Sequence, residues 1–145
     1  MKSITIRIRQ IAMAMIATIS LISCEEIDNP DGLWDPMIWK TEVQTAKQDD
    51  AYIVGATGGT FTFSCSNYSK PWLENVEHAG EYYYPPREKK DFHTITLYWF
   101  KAEMKDNRLK VTFEPNIETR ERLIKLTVTA GDIFYIFYFK QSANK

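Results

Sequence analysis

Four acids in one stretch, Glu74, Glu77, Glu81 and Glu88, are the residues best suited by type to acid–base work on a glycosidic bond, which needs two carboxyl groups placed across it. Their spacing does not place any two of them so, and acids in loops are usually solvated. His78 and His93 lie in unrelated contexts, and no His, Cys or Asp cluster has metal-ligand spacing, so neither a metal nor a cofactor is expected. Cys65 alternates with Phe61 and Phe63, which makes it a small inward hydrophobe, and no base lies near Ser64 or Ser66 to activate them. The chain reads as a non-enzyme. The remaining lead is aromatic: Tyr82, Tyr83 and Tyr84 stand before Pro85-Pro86 among Glu81, Arg87, Glu88 and Asp91. Rings of this kind lie flat on the C–H face of a sugar while polar neighbours bond its hydroxyls. A loop with three adjacent tyrosines is expected to expose at least one ring; packing of the loop over one end of the domain is the competing reading.

One further residue has a chemistry of its own. Lys2, Arg7 and Arg9 precede any acid, and Ile11 to Ile22 is almost wholly apolar, which is the layout of a secretory signal. The apolar run is too short for a bilayer-spanning helix of roughly 20 residues. It ends Leu21-Ile22-Ser23-Cys24, which resembles a bacterial lipobox. The resemblance implies cleavage before Cys24, a diacylglycerol on its thiol and an acyl chain on its new amino group. Each buried methylene contributes roughly 0.8 kcal/mol, so two or three chains hold a protein on a membrane. Glu25, Glu26, Asp28 and Asp31 then form an acidic, turn-rich tether. Such acids after the cysteine resemble the export signal of surface lipoproteins of Bacteroidota, which implies an outer-membrane anchor facing the exterior. The expected organisation is a signal at 1–23, lipidated Cys24 and tether at 24–36, and one domain at 37–145.

Removing residues 1–23 from the 145-residue chain leaves 122, enough for one domain. Of 18 basic and 19 acidic side chains, 15 and 19 remain, a net of −4. Nucleic acid is therefore not an expected partner. With Cys24 lipidated, Cys65 has no thiol to pair with, so the fold must stand on its core.

The elements that would position these groups are strands. Thr60 to Ser66, Leu109 to Glu114 and Ile124 to Thr129 each alternate apolar and polar residues, so each has one buried face. Thr94 to Phe100 reads as another strand with Ile95, Leu97 and Trp99 on one face. Ile133 to Phe139 is apolar on both faces and is expected to be central or covered on both sides. Gly58-Gly59 and Ala130-Gly131-Asp132 separate strands, Tyr52 to Val54 is short, and Trp39 to Thr45 is a weaker first strand. No segment has a helical period. The expected fold is all-β: an immunoglobulin-like antiparallel β-sandwich of about seven or eight strands.

Gly58-Gly59-Thr60-Phe61-Thr62-Phe63, Asn67 and Pro71-Trp72-Leu73, followed by Asn116 to Arg122 and Gln141, resemble the BACON domain over Val43 to Ala143. That family is an immunoglobulin-like sandwich of Bacteroidota surface proteins, often beside glycan-degrading modules. The chain departs from it between Trp72 and Leu109, where it carries the tyrosines and a charged run. The resemblance implies a core position for Trp72 and Trp99; Trp34 and Trp39 would cap the domain near the tether. The function it implies is binding of glycan or mucin, or an accessory part in glycan uptake. The alternative is a spacer or subunit that holds an envelope protein partner without binding carbohydrate.

Overall fold

The computed structural model describes residues 33–86, 88 and 91–145. The signal, Cys24, most of the tether, and Arg87, Lys89 and Lys90 lie outside the described residues. Eleven strands run in chain order: β1 (Trp39–Thr41), β2 (Lys47–Gln48), β3 (Ala51–Val54), β4 (Gly59–Cys65), β5 (Trp72–His78), β6 (Glu81–Tyr83), β7 (Thr94–Leu97), β8 (Phe100–Lys105), β9 (Arg108–Phe113), β10 (Arg122–Thr129) and β11 (Phe134–Gln141). One sheet has the order β1-β4-β9-β8-β7 and the other β2-β3-β11-β10-β5-β6.

Among the described residues the chain changes sheet five times, between β1 and β2, β3 and β4, β4 and β5, β6 and β7, and β9 and β10. Those crossings, with β4 beside β9 in one layer and β5, β10 and β11 adjacent in the other, make the immunoglobulin-like sandwich. All pairs are antiparallel except β3 with β11, which run parallel.

The alternating segments behave as their period requires. Leu109, Val111 and Phe113 on β9 and Ile124, Leu126 and Val128 on β10 are buried, and Phe63 and Cys65 on β4 are sealed with them. Aromatic rings form the centre: Phe63 lies 4.9 Å from both Tyr52 and Phe137, and Phe113 lies 5.1 Å from Phe100 and 5.3 Å from Phe139. Trp39 closes one side of this core, edge-on to Phe137 at 5.1 Å, whereas Trp34 is exposed.

Several expectations need correction. The segment Thr94 to Phe100 is two strands, because Leu97 pairs with Phe100 and Tyr98-Trp99 is the turn between them. Neither turn residue has positive φ, so no Gly or Asn marks the hairpin. The strand β5 escaped notice because an extra residue, Glu74, sits where Val128 pairs with Leu73 and Thr127 with Asn75. That bulge turns Leu73 and Val76, three apart, to the same side and destroys the two-residue period. The first strand stops at Thr41. Trp72 is no core residue: it pairs with Thr129 on the outward side of its sheet, opposite to buried Leu73. Trp99 does pack against the core. The strand β11 is central in its sheet, one of the two alternatives its apolar faces allow, and is covered on one side only. Phe137 and Phe139 are buried, while Phe134, Ile136 and Tyr138 are exposed on the outer face of a two-layer fold.

Candidate functional site

The tyrosine triplet is not a loop. Glu81, Tyr82 and Tyr83 form edge strand β6, and strand alternation sorts the rings. Tyr83 pairs with buried Val76 and packs against the core, its hydroxyl donating to Glu81 at 2.8 Å. That bond, with some burial, holds the Tyr83 phenol above its ordinary pKa. Tyr82 points the other way and is 54% exposed, and Tyr84, beyond the strand end, is 49% exposed.

Register then places Tyr82 in one row across the six-stranded sheet: Tyr82 opposite Glu77, Glu77 opposite Lys125, Lys125 opposite Tyr138, and Tyr138 opposite Ala51. Tyr82 and Tyr138 stand three strands apart, about 14 Å at the usual interstrand spacing of about 4.8 Å. Between them Lys125 donates to Glu77 at 3.1 Å. This bond and the Glu77 charge hold the Lys125 ammonium above its ordinary pKa, with smaller contributions from the two tyrosines. A depression of about 300 Å³ adjoins the row, lined in part by Asp49, Ala51, Glu77, Leu123, Lys125 and Tyr138. The next row holds Ile136, Thr127 and Asn75. Two exposed rings thus flank an ion pair that can both donate and accept, on the outer face of the sheet.

The other candidates are spread out. Glu77 is committed to Lys125, Glu81 to Tyr83, and Glu74 lies at the bulge. His78 Nδ1 contacts the Leu123 carbonyl at 2.8 Å and its ring stands edge-on to Trp99. His93 lies on another segment, its carbonyl accepting from the Met104 N–H. No group of His, Cys, Asp or Glu able to hold a metal occurs among the described residues. Cys65 is buried and its thiol donates to Asn67 Oδ1.

The residues that carry the family resemblance are architectural. Asn67 ties Ile38 N and Pro36 O to the end of β4. Asn116 is buried and bonds Arg120 O, Ser142 O and Glu118 N. Arg122, 6% exposed, lies over Trp99 with its guanidinium 4.5 Å from the ring and donates to Glu118. Its strand partner Gln141 donates to Glu114 O.

The sequence names Glu77 only as one of four candidate carboxylates and does not single out Lys125 or Tyr138. The signal for the latter two is alternation in β10 and β11, which assigns a side to each residue but not which rows adjoin.

The layers, topology and crossings define an immunoglobulin-like β-sandwich whose six-stranded sheet presents an aromatic outer face. A protein from Bacteroides thetaiotaomicron solved by NMR is 31% identical, with a TM-score of 0.68, over 83% of this chain and 98% of that one. The chain belongs to the family of that Bacteroides thetaiotaomicron protein. A chimeric titin Z1Z2 carrying a KLER peptide from decorin is 12% identical over 76% of this chain and 98% of its own, with a TM-score of 0.39. No protein-family model and no curated protein matches the chain.

Proposed function

We propose that the protein is a non-enzymatic, BACON-like lipoprotein of the outer membrane, anchored through Cys24 toward the cell exterior, that binds glycan or mucin in an accessory role in glycan uptake. The observation that carries the binding reading is the row in which Tyr82 and Tyr138 flank the Lys125–Glu77 pair on an exposed sheet. Rings about 14 Å apart on one plane suit an extended sugar chain lying across the strands, with the ion pair addressing hydroxyls between them. The address rests on the signal, the lipobox-like Leu21-Ile22-Ser23-Cys24 and the acids after it.

Titration of the protein with neutral polysaccharides tests the site. Tyr82→Ala and Tyr138→Ala should each weaken binding about tenfold, the equivalent of about 1.4 kcal/mol per ring. Unchanged affinity in both variants, or no binding by the parent protein, removes this reading. Fractionation tests the anchor: Cys24→Ala should move the protein out of the membrane, and a variant that stays membrane-bound refutes lipidation as the attachment.

The second reading is a protein-interaction subunit. Phe134 and Ile136 are exposed on the same outer face two residues apart on β11, and such adjoining apolar side chains favour an apolar partner surface. Because β11 lies between β3 and β10 and has no free edge, the partner would meet the face of the sheet. A pull-down from intact envelopes that depends on Phe134 and Ile136 and is indifferent to added glycan would favour it.

A further inference from the structure

The opposite face of the sandwich, the outer side of the five-stranded sheet, gathers charges that are scattered in sequence. Register puts Thr62, Lys110, Glu103 and Thr94 in one row across β4, β9, β8 and β7. Lys40, Ser64, Arg108 and Lys105 form the row beside it, and Thr60, Thr112, Lys101 and Thr96 the row on the other side. Five cations on these strands therefore meet Glu103 within them and Glu42 and Asp106 just beyond their ends. Residues 34–145 as a whole hold 15 basic and 15 acidic side chains, so the excess belongs to this face and not to the domain.

Lys101 is bonded to Glu103 at 2.7 Å, and Arg108 to Glu42 just beyond β1. Lys40, Lys105 and Lys110 have no ion pair among the described residues. Lys105 and Arg108 are direct cross-strand partners. Like charges placed opposite one another cost stability, and Glu42 offsets only the Arg108 side of the pair. Over them lies a depression of about 480 Å³ whose lining includes Thr62, Glu103, Lys105, Asp106, Arg108 and Lys110.

We propose that this face binds an acidic polysaccharide. Lys105, Arg108 and Lys110 take its sulfate or carboxylate groups; Thr62, Glu103 and Asp106 take its hydroxyls. The mixed lining argues against an anionic membrane surface, which would gain nothing from Glu103 and Asp106. The described strands of this face also carry no large exposed apolar side chain to insert. The inference shares with the proposed function only the class of ligand, since the two faces lie on opposite sides of the sandwich.

The test uses the mature chain, residues 24–145, carrying Cys24→Ala, so that neither the apolar signal nor a lipid anchor can enter vesicles. The probes are a sulfated polysaccharide, a polyuronate, a neutral glucan, single-stranded DNA and anionic phospholipid vesicles. At 0.1 M salt the two acidic polysaccharides should bind tighter than DNA or the vesicles, and any binding of the neutral glucan should be insensitive to salt. Their affinity should fall about tenfold on going to 1 M salt, as the Debye length drops from about 10 Å to about 3 Å. Lys105→Glu with Lys110→Glu should weaken binding at least about tenfold with an unchanged thermal midpoint. If that pair perturbs folding, Lys105→Gln with Lys110→Gln should still weaken it several-fold. Tyr82→Ala should leave the salt-sensitive binding intact, so failure of the aromatic face and failure of the basic face are read separately. The proposal is overturned if DNA or vesicles bind as tightly, if the lysine substitutions weaken neutral-glucan binding as much, if the folded lysine variants bind the acidic polysaccharides normally, or if Tyr82→Ala abolishes the salt-sensitive binding.

Discussion

A β-carbon at Gly58 would stand 2.2 Å from the Phe113 carbonyl oxygen, on a residue with φ of 77°. Both steric and backbone strain oppose any side chain there. Gly58→Ala should cost about 2–3 kcal/mol in denaturant unfolding. Gly131 also has positive φ but nothing within 4 Å, so Gly131→Ala should cost only about 1 kcal/mol, and equal losses at the two sites would contradict the steric argument. Glu42 offers a test by pH. Its carboxylate accepts from Ser64 and, besides, from Arg108, and these hold its pKa below the ordinary carboxylate value against a smaller opposing effect of burial. A depressed folded pKa contributes stability present above the unfolded value and lost as pH falls through the folded one. Glu42→Gln should therefore shrink the drop in thermal midpoint between about pH 6 and about pH 3; an identical drop in both proteins would assign Glu42 no part in acid sensitivity.

At the scale of elements, the bulge in β5 makes a prediction that ordinary strands do not. Removing Glu74 leaves Leu73, Asn75 and Val76 in strict alternation, so the ladder with β10 becomes regular and every inward residue keeps its side. That deletion should unfold cooperatively with a loss of about 2 kcal/mol or less. Deleting Thr127 from β10 instead turns part of Ile124, Leu126 and Val128 outward, and the protein should not fold. Circular dichroism and denaturant midpoints distinguish the two, and collapse of both variants would deny the bulge its role as a spare residue. The bulge also explains why β5 was illegible in sequence: a three-residue interval between buried Leu73 and Val76 matches no strand period. The Tyr98-Trp99 turn was hidden for a related reason, since aromatic residues are common in strands and neither carries a turn signature.

For the molecule as a whole, one aromatic core joins both sheets. Phe63 is fully buried and within 6 Å of Tyr52, Phe137 and Phe139, so Phe63→Ala should cost about 3–5 kcal/mol, a large share of what a domain of this size possesses. A loss under about 1 kcal/mol would mean that the two layers do not share this core. Because Cys65 is free and buried, thiol reductant should leave the thermal midpoint unchanged; a shift would reveal a disulfide contribution.

The sequence by itself determined the all-β class, the inward residues of β4, β9 and β10, the glycine turn before β4 and the inward place of Cys65. These follow from a two-residue period and from steric rules that act within a few bonds. It also singled out Tyr82 as a ring to examine, though not the strand that carries it. Only the tertiary structure decided which strands adjoin, and with them the two faces. Tyr82, Glu77, Lys125 and Tyr138 become one row through three strand registers, and Lys105, Arg108 and Lys110 become one patch through the β8–β9 pairing. Periodicity tells which side of a strand a residue occupies; register between distant segments depends on the packing of the entire core, and no local pattern encodes it.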